Sequence, residues 1–142
     1  MAQQRLNDWP SHLDAFLASR RLAPFAWGDN DCVLFAADAV LALTGVDPCA
    51  KIRGKYKTAR GAASALRKHG GMIAAVEKAT AGLGAFAIAP AFAQRGDIAL
   101  VQTDLGLTVL VRVADAWIGP GRDGIERHLA APLKAWAIGR SA

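Results

Sequence analysis

The stretch of residues 32–43, CVLFAADAVLAL, constrains the fold more than any other part of the chain. It is apolar on nearly every side, and a helix with this pattern is stable only when other elements surround it. Asp29-Asn30-Asp31 directly precedes the stretch and supplies three candidate N-caps. Thr44-Gly45 follows it, where a helix is expected to end. We therefore predict a buried central helix over residues 32–43, with Cys32 in its first turn.

The order of the other elements predicts an α+β domain. Helical spacing of apolar residues indicates further helices, and short apolar runs between turns predict strands after Leu83. The helices are predicted at residues 9–20, 58–68 and 72–80, and the strands at residues 98–102, 105–113, 116–118, 124–129 and 135–138. Because helices come first and strands follow, the central helix is expected to pack on an antiparallel sheet of about five short strands. A chain of 142 residues fits a single domain over residues 1–142.

The distribution of apolar and charged residues excludes several classes of protein. No apolar run approaches the roughly 20 residues that span a bilayer, so no membrane span is expected. The N-terminus lacks a charged lead into an apolar core, so we expect no secretory signal and synthesis in the cytoplasm. The net charge is +5, but its one basic cluster, residues 51–60, contains a single aromatic residue and no nucleic-acid recognition pattern. We interpret this cluster as a solvated face and expect no nucleic-acid partner.

Cysteine and histidine usage gives no indication of a metal or cofactor. The two cysteines, Cys32 and Cys49, are too few for a disulfide framework and are expected to be free thiols. The three histidines, His12, His69 and His128, lie far apart in the sequence and lack the paired spacing of zinc ligands. The sequence therefore predicts neither a structural metal nor a cofactor.

Cys32 is the first candidate for chemistry. A cysteine in the first turn of a helix lies near exposed backbone N–H groups and the positive end of the helix dipole, which favour a thiolate. A cysteine peptidase also needs a histidine that takes the proton and a polar residue that orients it. The alternative is that Cys32 is a small apolar residue at the top of a core helix. Position alone leaves both interpretations open.

Two segments of the chain resemble those of a known enzyme class. Residues 27–32, WGDNDC, followed by an apolar helix, resemble the nucleophile segment of NlpC-type cysteine peptidases, which cut peptide bonds in peptidoglycan. Residues 95–100, RGDIAL, resemble the same family's Gly-Asp step into the first core strand. The resemblance implies a papain-like fold with Cys32 at the nucleophile position.

A second resemblance extends over nearly the full length. The chain is similar to small phage and prophage proteins that are encoded among tail genes, and to their relatives in gene transfer agents. The segments that support this are residues 24–32, 44–48, 53–56, 96–97, 123–125 and 135–136. The resemblance implies a location in the virion tail, with tail-tip or hub proteins as partners and peptidoglycan as a further contact.

The chain departs from the active peptidases at the general base. In those enzymes the second core strand begins with the catalytic histidine, and the corresponding position here is Leu107 or Thr108. His128 is the first candidate for a substitute base, and His69 is the second. Because a triad works as a unit, we expect a catalytically inactive protein on a peptidase fold. The alternative function is an active peptidoglycan hydrolase that uses Cys32 as its nucleophile during genome delivery.

Residues 53–56, Arg-Gly-Lys-Tyr, form the last candidate site. Arg53 and Tyr56 are residue types that often anchor protein interfaces, so this loop is a candidate contact for a tail partner. The alternative is a surface turn whose tyrosine packs back on the domain. The sequence does not decide between the two.

Overall fold

The computed structural model describes residues 3–141, and within them the fold is α+β, with four α-helices followed by six strands. The helices are α1 (Trp9–Arg20), α2 (Cys32–Thr44), α3 (Ala59–Arg67) and α4 (Met72–Gly82). The strands are β1 (Phe86–Ile88), β2 (Ile98–Thr103), β3 (Gly106–Val113), β4 (Ala116–Gly121), β5 (Gly124–His128) and β6 (Lys134–Ala137).

The predicted helices are confirmed, and the sheet contains one strand more than expected. β1 was not predicted from the sequence because it spans only three residues, FAI. The alanine-rich stretch around it shows no alternation of apolar and polar side chains. Its identity as a strand depends on pairing with β6, almost 50 residues further along the chain. A tertiary contact of this kind leaves no local signal in the sequence.

All six strands form one sheet in the order β1-β6-β2-β3-β4-β5, with antiparallel pairing throughout. Strands β2 to β5 are a meander, and β6 returns to lie beside β2. The buried helix α2 packs against β3 and β4 and supplies Phe35, Val40 and Leu43 to the main core. The prediction of a central helix on an antiparallel sheet is confirmed.

The two faces of the sheet pack against different clusters, and the face on which a side chain lies decides whether it is on the side of α2. Val109, Val111 and Ile118 belong to the core that contains α2. Residues that alternate with them, Leu110 and Trp117, belong to a second buried cluster on the opposite face.

The start of β2 is fixed by a buried carboxylate. Asp97 is fully buried and accepts hydrogen bonds from Arg5, Arg140 and the backbone N–H of Ile138. The preceding Gly96 has φ +92°, and a Cβ there would lie 2.9 Å from a methyl group of Leu43. The Gly-Asp step therefore ties both ends of the described chain to the sheet.

None of the helices within residues 3–141 has the length and apolar character that a membrane crossing requires.

Candidate functional site

Cys32 is the first residue of α2, and its thiol lies against strand β3. The residue is partly buried, and the backbone of Val109 provides a hydrogen bond to its sulfur. Asp31 is the N-cap of α2, as predicted, because its Oδ1 accepts a 2.9 Å hydrogen bond from the backbone N–H of Leu34. The predicted location of Cys32, in the first turn of the central helix, is confirmed.

The chemistry of the thiol differs from the expectation. Burial raises the pKa of Cys32 to about 11, and the negative charge of Asp31 raises it further, whereas the hydrogen bond from Val109 lowers it. The helix start was expected to favour the thiolate, but the loss of hydration outweighs this effect. Cys32 is therefore a protonated thiol at neutral pH, which is a poor nucleophile.

The surface of the sheet that faces Cys32 is aliphatic. Because side chains alternate along β3, Leu107 shares the face of Val109 toward α2. Thr108 points the other way, where its hydroxyl lies 3.2 Å from that of Thr103. Of the two candidate positions for the missing histidine, Leu107 is therefore the one on the side of Cys32. On β4, Ile118 faces the same core, so no polar side chain replaces the orienting residue there.

The structure does not bring a histidine to Cys32. His128 lies on β5 directly opposite Trp117, and directly paired residues of antiparallel strands project to the same face. This is the face opposite α2, so His128 is separated from Cys32 by the sheet itself. His12 lies on α1 with its Nε2 3.0 Å from Asp8 Oδ2. His69 lies after α3.

The segment that precedes Cys32 is held by hydrogen bonds of its own. Asp31 is buried, and its Oδ2 accepts hydrogen bonds from the Gly28 backbone N–H at 3.0 Å and the Tyr56 hydroxyl at 2.6 Å. The buried Asn30 side chain donates to the carbonyls of Ala23 and Pro24. Each of these groups is satisfied within the domain, which is what buried polar groups require for stability.

Gly28 is required by a close approach of two backbone segments. Its φ is +80°, and a Cβ would lie 2.1 Å from the carbonyl oxygen of Tyr56. No side chain fits at this distance, whether or not the site is catalytic. Structural contacts therefore explain Gly28, Asn30 and Asp31 of the WGDNDC segment.

The two interface candidates have different environments. Tyr56 is only 8% exposed and packs with Leu34 and Ala62, so it is the tyrosine that packs back on the domain. Arg53 is partly exposed, but its guanidinium is engaged by Asp47 and Asp38, and its pKa is raised mainly by the hydrogen bond to Asp47. Tyr56 is therefore withdrawn from the surface, whereas Arg53 remains partly exposed and is already paired with two carboxylates of its own domain.

A pocket of about 460 Å³ lies between α2, the loop of residues 46–52 and α4. Its walls are mostly apolar, and they include Cys49, whose pKa is raised to about 12 by burial. Sequence reasoning missed this pocket because its walls come from elements far apart in the chain. Within residues 3–141 there is no group of three or more His, Cys, Asp or Glu side chains that could hold a metal ion.

Comparison with known families gives one match. Residues 4–138 match the model of a family described as "Domain of unknown function (DUF6950)". No curated protein and no solved structure matches the chain.

Proposed function

The chain belongs to the DUF6950 family, and from its site we propose that it is a phage or gene-transfer-agent tail-tip protein that uses a papain-like, NlpC-type fold without catalysis. In this proposal the protein is made in the host cytoplasm and becomes part of the virion tail. Its partners are other tail-tip or hub proteins, and peptidoglycan is a further contact.

The observation that carries the proposal is the environment of Cys32. Hydrolysis by a cysteine peptidase needs a thiolate that attacks the carbonyl and an acid that protonates the leaving amine. Burial raises the pKa of Cys32 to about 11, and the β3 position on its side is Leu107. Both requirements are therefore unmet at neutral pH.

The arrangement of elements supports a peptidase-like ancestry. A cysteine opens the central helix, that helix packs on an antiparallel meander, and a Gly-Asp step begins the strand next to β3. Gly28, Asp31 and Asp97 retain roles in holding this frame, as described above. A fold kept intact around an incomplete triad suits a protein whose function is to bind rather than to cut.

The competing function, an active peptidoglycan hydrolase, is favoured by one observation, the position of Cys32 in the first turn of α2. It would require His128 or His69 to reach the thiol. The register of β5 places His128 on the other face of the sheet, so His128 could reach the thiol only through rearrangement of the core. His69 forms no hydrogen bond to Cys32 and does not contribute to the pKa of its thiol.

The tail assignment is tested by mass spectrometry of purified virions from the phage or prophage that encodes the chain. We expect the protein in intact tails, at a fixed ratio to the tail-tube protein. Absence from tails together with abundance in the lysate would contradict the proposal and would favour a free enzyme or an assembly chaperone.

A further inference from the structure

The positive charge of the chain is concentrated in one segment. Residues 48–76 contain seven Lys and Arg residues and no Asp or Glu, whereas the rest of the chain contains ten basic and twelve acidic residues. Arg53 is held by two carboxylates. The other six are exposed, and in the described part of the chain none of them forms a salt bridge: Lys51, Lys55, Lys57, Arg60, Arg67 and Lys68. Unpaired like charges repel each other, so this segment is suited to a negatively charged partner.

The pocket between α2 and α4 opens within this charged region. Lys51 and the exposed Lys78 line it, and Arg67 and Lys68 directly follow Leu66, which forms part of its wall. Its volume of about 460 Å³ lies within the usual range of ligand-binding cavities. An apolar pocket with a cationic rim, here called the α2–α4 groove, fits a ligand that combines apolar groups with carboxylates.

The carboxylate that lines the groove does not neutralise the rim. Asp47 Oδ2 accepts a 2.8 Å hydrogen bond from Arg53 Nε, and its Oδ1 accepts one from the backbone N–H of Cys49. The hydrogen bond from Arg53 is the main cause of the lowered pKa of Asp47. The charge of Asp47 is therefore already matched, and the lysines remain available.

The groove suits a protein segment better than a nucleic acid. Proteins that bind single strands stack bases on exposed aromatic side chains. Tyr56 is the one aromatic residue between residues 48 and 76, and it is buried with its hydroxyl bonded to Asp31. A phosphate backbone could pair with the cationic rim but would leave the apolar walls of the groove unfilled.

We propose that the α2–α4 groove binds an acidic, amphipathic segment of a partner protein. The apolar side chains of the segment occupy the pocket, and its carboxylates pair with Lys51 and Lys78 at the rim. This inference rests on the proposed function, in which the chain is held in an assembly of tail proteins. It names the surface and the chemistry through which such a partner is recognised.

The probes are fluorescein-labelled 14-residue peptides with Leu or Phe at positions i, i+3, i+4 and i+7 and Glu or Asp elsewhere. Each has two counterparts, one with the same composition in scrambled order and one with Lys in place of the acidic residues. We expect fluorescence polarisation to show binding of acidic amphipathic peptides that weakens as salt is added. Scrambled and basic counterparts should bind at least about tenfold more weakly, since they lack the apolar face or the charge complementarity.

Variants of the chain locate the site. The double variant Lys51→Glu/Lys78→Glu should weaken peptide binding by about tenfold or more, because it reverses the charge of the rim. Ala79→Trp, which fills the pocket from α4, should abolish binding, and a melting curve establishes that this variant is folded. Arg122→Glu is the matched control, since Arg122 is an exposed cation on the β4–β5 turn and should leave binding unchanged.

Three results would overturn the inference. They are acidic peptides that bind no better than their counterparts, a DNA oligonucleotide that binds more tightly than every peptide, and an Arg122→Glu variant that weakens binding as much as the rim variant. None of these depends on hydrolysis or on virion composition. A protein that cuts peptidoglycan or is absent from tails would therefore refute the proposed function separately.

Discussion

The hydroxyl of Tyr56 donates a 2.6 Å hydrogen bond to Oδ2 of Asp31, the residue immediately before Cys32. Burial and the hydrogen bond to Asp31 raise the pKa of Tyr56, so the phenol stays protonated and acts as the donor. The same carboxylate caps α2 through Leu34 and holds the turn at Gly28. The position of Cys32 is thus set by a structural anchor that needs no catalytic histidine.

Removal of the Tyr56 hydroxyl should destabilise the fold. Tyr56→Phe leaves the buried Asp31 carboxylate with one donor fewer, and hydrogen bonds to charged groups contribute about 1.5–3 kcal/mol. We expect the free energy of unfolding, measured by urea denaturation, to fall by about that amount. Ser64→Ala on α3 is the control, because the Ser64 hydroxyl forms no hydrogen bond within the described residues, and it should change this free energy by less than about 0.5 kcal/mol. Equal values for Tyr56→Phe and the native protein would contradict the anchor role.

The close approach at Gly28 predicts a difference between two glycines with the same backbone conformation. Gly28 and Gly54 have φ +80° and +79°, but a Cβ at Gly28 would lie 2.1 Å from a carbonyl oxygen, and one at Gly54 has nothing within 4 Å. Gly54→Ala should therefore lower the stability of the fold only by the strain of a positive φ, about 1–2 kcal/mol. Gly28→Ala should lower the stability considerably more or prevent folding, and thermal melting measures the difference. Similar melting temperatures for the two variants would refute the steric argument.

Removal of the buried carboxylate of Asp97 should destabilise the fold far more than removal of an exposed carboxylate. Asp97→Ala leaves Arg5, which is largely buried, without its carboxylate partner, and breaking a buried ion pair in this way costs about 3–5 kcal/mol. Asp115→Ala removes the exposed partner of Arg127 and should cost at most about 1 kcal/mol. Chemical denaturation of the two variants makes the comparison. Comparable losses would show that Asp97 does not anchor the chain ends.

The raised pKa of Cys32 predicts slow alkylation with an unusual pH dependence. In a Cys49→Ala background, reaction with iodoacetamide should stay slow from pH 7 to 9 and increase as the pH approaches about 11. At pH 8 the native protein should react about a hundredfold more slowly than the same protein unfolded in urea, because burial raises the pKa of the thiol from its ordinary value of 9.0 to about 11 and the thiolate is the reactive form. The protonated thiol stabilises the fold below pH 9, and this contribution is lost toward pH 11. A native rate equal to or faster than the unfolded rate would show that the helix dipole prevails.

The sequence was sufficient where the signal is local. The apolar run that begins at Cys32, together with the candidate caps before it, predicted α2 and its first turn, and the absence of a histidine at Leu107 and Thr108 can be read directly from the sequence. The choice between those two residues required the strand register, because adjacent residues of β3 face opposite sides. The strand register was also needed to decide on which face of the sheet His128 lies.

The remaining features depend on contacts between distant residues. Asp97 meets Arg5 and Arg140 across 92 and 43 positions, and no local pattern signals such pairs. The pKa of Cys32 is raised, contrary to the sequence-based expectation, because the helix start is visible in the sequence but the burial of the thiol is not. The α2–α4 groove exists only because α2, the loop of residues 46–52 and α4 come together in the fold.

The central claim, that this peptidase-like site does not catalyse hydrolysis, is tested by incubating the protein with purified peptidoglycan fragments and identifying the products by mass spectrometry. An active NlpC-type peptidase is the positive control, and Cys32→Ala and His128→Ala are measured beside the native chain. We expect no cleaved stem peptides above the blank from any of the three forms. Cleavage by the native chain that disappears in Cys32→Ala would contradict it, and loss in His128→Ala as well would identify His128 as the base.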